Sequence, residues 1–300
     1  MAKLGEANIG GRMVPAWLLN LTAEELDGLK WHSNRNLLYN WYFGNPVNQR
    51  GQTLYPSATK TQYTIDGWLS LSWYVETKIM DGCIQLTETT GTQGTTHFFE
   101  QRTEQTFIGK KTLSIMLNDG TLYWLSGSSD IIIDFVVDGK PFYLVWVNSD
   151  HLVRLSGAAG ATIAIKAVKL ELGSTQTLAH QDEDGNWVLN EIPDYGEELA
   201  KCQRYLLRLD AELAIRASYA NQNGMWFCVS TPVSMRAIPT IVGTVAVRDV
   251  EGSGVSDSTF NFFASNLLSN YIFVTAQKSN NTLTDGVMYV LQEAYFSAEL

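Results

Sequence analysis

Cysteine is scarce in this 300-residue sequence. Its three cysteines, Cys83, Cys202 and Cys228, lie far apart and form no C-x-x-C pair. Because the set is odd and widely spaced, it argues against a disulfide framework and against a structural zinc site. We therefore predict that the three thiols are free and buried, since free cysteine is among the most buried residue types.

Positive charge is also limited, because 21 lysines and arginines oppose 31 aspartates and glutamates and the formal net charge is −10. The cations are scattered singly, without the basic stripe that is typical of nucleic-acid-binding proteins. No apolar run approaches the roughly 18 residues of a membrane span. The start, MAKLGEANIGG, lacks the charged and apolar regions of a signal peptide. We expect a soluble chain made in the cytoplasm, with no nucleic acid partner and no membrane insertion.

Recognisable catalytic motifs are missing. The four histidines are far apart, no G-x-S-x-G or H-E-x-x-H pattern occurs, and the S-x-x-K match at residues 57–60 lacks its partner motifs. The glycine-rich segment 157–161 has no following lysine and is not a phosphate loop. No glycosidase pair can be chosen among 31 acidic residues from sequence alone. We predict no catalytic residues and no enzyme activity, with polysaccharide cleavage kept as an alternative.

A metal site is not predicted either. The segment DEDGN places Asp182, Asp184 and Asn186 at alternate positions, as the start of an EF-hand loop does. Trp187, however, stands where that loop needs glycine, and Pro193 stands where it needs a bidentate glutamate. We interpret this segment as a turn. No cofactor is indicated, and a structural calcium ion stays an open alternative that no motif supports.

The sequence does contain a repeated β-strand pattern. A hydrophobic fraction of 45% and a charged fraction of 17% are typical of a folded globular protein. Asp-Gly pairs, which favour tight hairpin turns, recur between β-rich runs, and residues 131–147 form the clearest predicted hairpin. Short strands with this spacing of turns predict a sandwich or a barrel. The Asp-Gly pairs begin at Asp66, Asp81, Asp119, Asp138 and Asp184.

One predicted strand, residues 162–172, changes phase along its length. Apolar residues alternate in one phase up to Ala167, and from Val168 they continue one residue out of phase. Because side chains in a strand alternate with a period of two, such a shift needs one extra residue or two different surroundings. We predict a β-bulge near Ala167, or a strand that passes between two environments.

Two short helices are predicted. Thr22 and Glu25 have the form of a capping box before a helix of two or three turns, which is marginal alone. This segment is either an assembly or attachment segment or an arm packed on its own domain. A second helix is predicted to begin at Asp194, with Glu197 completing the cap. The apolar residues near one face of that helix are Leu199, Cys202, Leu206 and Leu209.

These patterns divide the chain into four parts and predict an all-β fold class. Residues 1–35 are a short helical N-terminal arm, and residues 36–173 are the first β domain. Residues 174–196 are polar and rich in turns, which is typical of a linker. Residues 197–300 contain the short helix and a second, distal β domain.

Aromatic residues make up 11% of the sequence and provide the candidates for ligand contacts. Sugar rings stack on Trp and Tyr while their hydroxyls bond to Asn, Asp and Gln, so a β-sandwich with these residues can bind a glycan. An aromatic residue in a half-buried strand is, however, more often part of the core. Adjacent residues such as Trp73 and Tyr74 should also face opposite sides. The glycan-binding candidates are Trp68, Trp73, Tyr74, His97, Tyr123, Trp124 and Trp146.

Several segments, taken in order, carry a resemblance to a known family. NLLYNWYFGNPVNQRG at 36–51, YTIDGW at 63–68 and IAIKAVKLELGS at 163–174 resemble the opening and closing strands of a carbohydrate-binding-module-like jelly roll found in the tail-fibre proteins of tailed bacteriophages and prophages. LAHQDEDGNWVLNEIPDYGEELAKCQRYL at 178–206, TPVSMRAIPTIVG at 231–243 and the terminal YFSAEL are similar to their linker, helix and distal domain. The resemblance covers about residues 36–300.

The resemblance implies a jelly-roll β-sandwich, a linker, a short helix and a second β-sandwich domain. It further implies a homotrimeric virion component at the tail, assembled in the host bacterial cytoplasm, that contacts other tail proteins and recognises a host cell-surface glycan. Trp41 and Phe43 should then share one buried face. The leading hypothesis is a receptor-binding protein. The alternatives are a structural tail or baseplate component and a polysaccharide depolymerase.

Overall fold

A computed structural model describes residues 6–9, 12–15, 33–57, 61–70, 74–91, 95–209, 213–216, 224–242, 246–249, 258–268, 270–278, 288–291 and 294–299. Near the N-terminus, β1 (Glu6–Ile9) and β2 (Arg12–Pro15) pair as a two-stranded antiparallel sheet. The helix predicted from Thr22 and Glu25 lies outside the described residues.

The first β unit is a sandwich of two six-stranded antiparallel sheets. The β14 sheet has the strand order β10-β9-β14-β7-β6-β3, and the β13 sheet has the order β11-β12-β13-β8-β5-β4. The strands are β3 (Leu54–Tyr55), β4 (Gln62–Tyr63), β5 (Leu69–Ser70), β6 (Val75–Met80), β7 (Cys83–Glu88), β8 (Thr95–Arg102), β9 (Lys111–Leu117), β10 (Leu122–Gly127), β11 (Ile131–Val137), β12 (Lys140–Val147), β13 (Leu152–Ala158) and β14 (Thr162–Leu172).

The sandwich wraps as a jelly roll does. The ribbon formed by β7 and β8 pairs with the returning ribbon of β13 and β14, with one strand of each ribbon in each sheet. One apolar core lies between the sheets and includes Ile84, Leu113, Phe142 and Leu155. The predicted all-β sandwich class is therefore confirmed.

Local sequence signals account for two features of this unit. The predicted hairpin at residues 131–147 is confirmed, because Val137 pairs with Lys140 and the turn residues Asp138 and Gly139 adopt φ angles of 49° and 73°. The predicted bulge is confirmed too, since the pairing of β14 with β9 shifts register between Ile165 and Ala167.

The opening stretch of the first unit forms an irregular edge beside β14. Strand β14 pairs with β7 only from Thr162 to Ile165. Beyond Ile165 the opening stretch takes the place of β7: Phe43 N donates to Lys166 O at 2.8 Å, and Tyr42 forms an isolated bridge with Ala167. The side chain of Phe43 is fully buried and that of Trp41 is nearly so, as the sequence predicts. These aromatic residues therefore belong to the core.

The polar segment after β14 forms a hairpin of β15 (Ala179–Gln181) and β16 (Trp187–Leu189). The Oδ1 atom of Asp182 accepts hydrogen bonds from the backbone N–H groups of Asp184 and Asn186, so the segment is a turn. Leu178 and Ala179 pack into the core of the first sandwich. This hairpin is thus attached to the first unit by apolar burial.

The helix α1 (Tyr195–Gln203) begins as predicted, with the side chain of Asp194 accepting a hydrogen bond from Glu197 N at 2.9 Å. The prediction that its apolar face continues to Leu206 and Leu209 is wrong. Those residues form the strand β17, because their backbone pairs with β25 in the second unit. No helix in the described part of the chain is long and apolar enough to cross a membrane.

The second β unit contains a three-stranded sheet, β17-β25-β20, and a six-stranded sheet, β18-β24-β21-β22-β23-β19. It has its own apolar core, with Phe227, Ile272, Val274 and Phe296 among its members. The strands are β17 (Leu206–Leu209), β18 (Leu213–Arg216), β19 (Gly224–Ser230), β20 (Thr240–Val242), β21 (Ala246–Asp249), β22 (Ser258–Leu268), β23 (Tyr271–Lys278), β24 (Met288–Leu291) and β25 (Ala294–Ser297).

The three cysteines are free, but only two are buried. Cys83 and Cys202 are enclosed as predicted, whereas Cys228 is exposed. In β19 the neighbouring Phe227 and Val229 face the core, so strand alternation turns Cys228 outward. The prediction of three buried thiols is therefore wrong for Cys228.

Candidate functional site

Two of the predicted glycan-binding residues lie inside the core of the first sandwich. Trp68 is 2% exposed, stacks on Phe99 with ring centroids 4.8 Å apart, and donates its indole N–H to Asn40 O at 2.8 Å. Trp146 is fully buried, with its ring centroid 6.1 Å from that of Phe107. Both rings are enclosed by other side chains, so a sugar has no access to their faces in this structure.

The other candidates that the structure describes do not form one surface. Tyr123 on β10 is half-buried and stacks on Phe135 at 4.6 Å, while its neighbour Trp124 is 47% exposed. His97 is exposed on β8, in the other sheet, with Nδ1 2.8 Å from Ser156 Oγ. Tyr74 is half-buried and Trp73 lies outside the described residues. Trp124 and His97 are thus isolated exposed rings on different sheets.

A concave site occurs elsewhere, between the first sandwich and the second unit. We call it the tyrosine cleft, and it has a volume of about 440 Å³. Three tyrosines line it together with polar side chains of both charge signs, which is the mixture expected of a small-molecule site. Its lining residues are Arg50, Gln52, Tyr55, Gln62, Tyr63, Leu206, Tyr295, Ser297 and Glu299.

Sheet edges explain how these tyrosines meet. Tyr55 lies on β3 and Tyr63 on β4, which are the terminal strands of the two sheets of the sandwich. Tyr295 lies on β25, the central strand of the three-stranded sheet in the second unit. The cleft therefore forms where one edge of the sandwich meets the face of another sheet.

Two arginines hold the tyrosine rings in place. The guanidinium carbon of Arg50 lies 5.4 Å from the Tyr63 ring centroid, and that of Arg208 lies 5.5 Å from the Tyr295 ring centroid. Burial raises the pKa of Tyr63 to about 12, so its hydroxyl stays protonated at neutral pH. Tyr63 therefore presents a neutral ring to the cleft, whereas Tyr55 is only 3% exposed and its hydroxyl donates to Asn48 Oδ1 at 2.6 Å.

A buried ionic cluster supports the floor of the cleft. Arg50 forms an ion pair with Glu299, and its Nη1 atom lies 3.6 Å from Asp66 Oδ1. The side chains of Asp66 and Glu299 are 1% and 3% exposed. Burial raises the pKa of Asp66 to about 6 and also raises that of Glu299.

Gln49 completes this cluster from the first sandwich. Its backbone N–H and its Nε2 donate to the two oxygens of Asp66 at 3.0 and 2.6 Å. The same Nε2 donates to Leu206 O at 2.6 Å, and Arg208 N donates to Gln49 Oε1 at 3.2 Å. Hydrogen bonds thus fix the two walls of the cleft relative to each other.

The sequence candidates did not include the tyrosines of the cleft. A local signal was present on one wall, because Gln52, Tyr55, Gln62 and Tyr63 lie within twelve residues of one another. No local signal pointed to Tyr295, which reaches the site from the far end of the chain. In the parts of the chain that the structure describes, no group of three or more His, Cys, Asp or Glu residues could hold a metal ion.

Comparison of the chain with models of protein families, with curated proteins and with solved structures found no match.

Proposed function

We propose that this chain is a non-catalytic, glycan-binding receptor-binding protein of a phage tail fibre, and that it holds a host cell-surface glycan in the tyrosine cleft. The observation that carries the binding proposal is that two half-buried tyrosines, Tyr63 and Tyr295, line the cleft beside Gln, Ser, Arg and Glu side chains. The attachment role rests on the resemblance of the sequence to tail-fibre proteins. In this proposal the chain is a homotrimer that contacts other tail proteins of the virion.

The chemistry of the cleft suits a sugar ring. Aromatic faces pack against the C–H groups of a pyranose, and the hydroxyl groups of the sugar need donors and acceptors at the ring edge. Gln52 and Gln62 each offer an amide with both functions, and the hydroxyl of Ser297 adds a third such group. An uncharged saccharide therefore fits the cleft, because it brings no charge that would need a partner there.

Binding without cleavage is supported by the carboxylates at the site. Among the described residues that line the cleft, Glu299 is the only carboxylate. Asp66 lies behind the lining with both oxygens bonded to Gln49. A glycosidase needs two carboxyl groups on either side of the scissile bond, and the cleft offers one.

The test is a glycan array probed with the labelled full chain and with the variants Tyr63→Ala and Tyr295→Ala. We expect each variant to lose binding by about tenfold, because each removes one stacking face. Tyr271→Ala is the matched control, since Tyr271 is 54% exposed in the second unit and does not line the cleft. Failure of the wild-type chain to bind any glycan would remove the proposed function.

A second variant decides where a glycan binds. Trp124→Ala removes the exposed ring on β10 and leaves the cleft intact. If Trp124→Ala abolishes binding while Tyr63→Ala and Tyr295→Ala do not, the site lies on β10 and the assignment to the cleft is wrong. Release of oligosaccharide from a bound polysaccharide would instead indicate a depolymerase.

A further inference from the structure

A second concave site lies on the chain, outside the tyrosine cleft. We call it the basic pocket, and its volume is about 330 Å³. It forms where the segment 35–39, the loop 103–107 after β8 and the end of α1 at 201–205 come together. This volume is at the low end of the range for small-molecule sites.

Positive charge collects at this pocket although the whole chain is acidic. Arg35, Lys201 and Arg204 line it, and Glu104 is the only acidic residue among its described lining residues. Outside the lining, Arg236 Nε lies 3.4 Å from Glu104 Oε1, and Glu198 pairs with Lys201. These six groups carry four positive and two negative charges, in a chain whose formal net charge is −10.

The two acidic groups are already engaged by protein partners. Glu104 Oε2 lies 3.4 Å from Arg204 Nη2, its other oxygen faces Arg236, and it accepts a hydrogen bond from Tyr205. Glu198 Oε2 accepts a hydrogen bond from Asn40 N at 2.6 Å. Neither carboxylate is therefore available to neutralise Arg35.

Arg35 is the cation of the pocket that has no carboxylate partner among the described residues. Its residue is exposed, and no ion pair involving it occurs among the described residues. The guanidinium carries five N–H donors in a planar arrangement that matches two oxygens of a carboxylate or phosphate. An oxyanion held by Arg35 would also benefit from the positive charges of Lys201 and Arg204.

Part of the wall of the pocket is aromatic and aliphatic. Tyr39 and Tyr205 stack with ring centroids 4.5 Å apart and an interplanar angle of 5°. Leu37 and Phe107 add aliphatic and aromatic surface, and both pack against the core of the first sandwich. The pocket therefore suits an anionic group attached to a ring better than it suits a free inorganic ion.

We propose that the basic pocket binds a small organic oxyanion, a carboxylate or phosphate carried on a ring of monosaccharide size, with Arg35 as its principal ligand and with Arg204 adding positive charge beside it. The inference does not depend on glycan binding in the tyrosine cleft, because the two sites share no lining residue. The shared chemistry of the two anion types is the pair of oxygens that a guanidinium can hold.

The test is a titration of the full chain, followed by NMR chemical-shift changes, with three sugars of one size. Glucuronate carries a carboxylate, glucose 1-phosphate carries a phosphate, and glucose is the neutral comparison. We expect one or both anions to bind at least about fivefold more tightly than glucose, and the difference to shrink in added NaCl as the charges are screened. The tighter of the two anions identifies the anionic group.

Variants locate the binding. Arg35→Gln should weaken anion binding by about fivefold or more, since it removes the cation that has no carboxylate partner, and Arg204→Gln, whose charge already faces Glu104, should weaken it less. Lys140→Gln is the control, because it removes one positive charge from an exposed residue that does not line the pocket. If glucose binds as tightly as both anions, or if anion binding is unchanged in Arg35→Gln and in Arg204→Gln, the proposal is wrong. Circular dichroism of each variant identifies any loss of binding that comes from unfolding.

Discussion

At the scale of single residues, Asp66 couples the stability of the protein to pH. Its carboxyl group is enclosed in the ionic cluster, and burial raises its pKa to about 6. In an unfolded chain the pKa of an aspartate is about 3.9. The folded state therefore holds its proton at higher pH than the unfolded state, and this contribution to stability is lost as pH rises from about 4 through about 6. The loss is on the order of 3 kcal/mol.

We predict that Asp66→Asn removes this pH dependence. The amide cannot titrate, so the variant should keep the stability that the wild type loses as pH rises. The melting temperature of the variant minus that of the wild type should therefore increase from pH 4 to pH 7. The measured quantity is the slope of this difference against pH. The new amide group also changes hydrogen bonding to Gln49, but that change is the same at every pH and does not affect the slope. Thermal unfolding at four pH values gives this slope. Asp134→Asn, at an exposed position on β11, should show no such slope, and equal slopes in both variants would refute the prediction.

Gly157 shows how one missing side chain permits the core to close. A Cβ atom at this position would lie 2.2 Å from Phe98 Cε2 and 2.6 Å from Phe142 Cε1. Both rings are fully buried, and their centroids are 5.8 Å apart. The rings would have to shift to make room for a Cβ atom, and in a close-packed interior such a shift costs free energy. Only glycine therefore fits between these rings.

We predict that Gly157→Ala lowers the free energy of unfolding by about 2–3 kcal/mol, the upper part of the range for overpacked cores. Urea unfolding followed by tryptophan fluorescence measures the change. Gly127→Ala is the control, because the nearest atom to its Cβ, in the side chain of Ile131, is 3.2 Å away. A Gly157→Ala variant as stable as Gly127→Ala would show that the rings can move apart.

At the scale of elements, the hairpin of β15 and β16 is tied to β14 by buried polar groups. Lys169 and Glu171 on β14 are fully buried. Lys169 Nζ donates to Thr177 Oγ1 at 3.1 Å, and the backbone N–H of Thr177 donates to Glu171 Oε1 at 2.7 Å. Burial lowers the pKa of Lys169, while the charge of Glu171 opposes that shift. Thr177 therefore satisfies both charged groups beneath the hairpin.

We predict that Thr177→Val destabilises the fold by about 2–3 kcal/mol, because the Thr177 hydroxyl accepts a hydrogen bond from Lys169 Nζ and donates one to Glu171 Oε2, and both charged groups are buried. Chemical unfolding measures this value. Thr175→Val is the matched control, since Thr175 is exposed in the same segment and should change stability little. Similar losses in both variants would mean that the segment, and not its buried hydroxyl, is responsible.

At the scale of the whole molecule, Arg50 joins the two β units. It belongs to the first sandwich and pairs with Glu299 of the second unit, 249 positions away in sequence. The same guanidinium faces Asp66 of its own unit. Removing it would leave two buried carboxylates without their shared counter-ion, which is more costly than losing an exposed ion pair.

We predict that Arg50→Gln loosens the second unit selectively. Hydrogen exchange followed by mass spectrometry should show faster exchange in β25, where the free energy of opening should fall by about 2–3 kcal/mol. Exchange in β9, inside the first sandwich, should stay as in the wild type. Arg102→Gln is the control, because Arg102 faces Glu100 within the first unit and is 46% exposed. Equal changes in β9 and β25 would indicate global destabilisation and contradict the selective effect.

Much of the local structure was predictable because its causes are local. The Asp-Gly pair at Asp138, the shift of phase at Ala167 and the cap at Asp194 each depend on a few neighbouring residues, and the structure confirms all three. The end of α1 was not predictable in this way. Leu206 and Leu209 suit a helix by spacing, but pairing with β25 holds them in a strand.

The sequence by itself determined the all-β class and the alternation of buried and exposed residues, since both follow from the period-two pattern of its strands. Only the tertiary structure decided which aromatic residues are accessible. It encloses Trp68, Trp146 and Tyr55 in the core and brings the half-buried Tyr63 and Tyr295 to one cleft. The reason is physical: an aromatic side chain has the same hydrophobicity in either place, and its exposure depends on what distant segments pack against it.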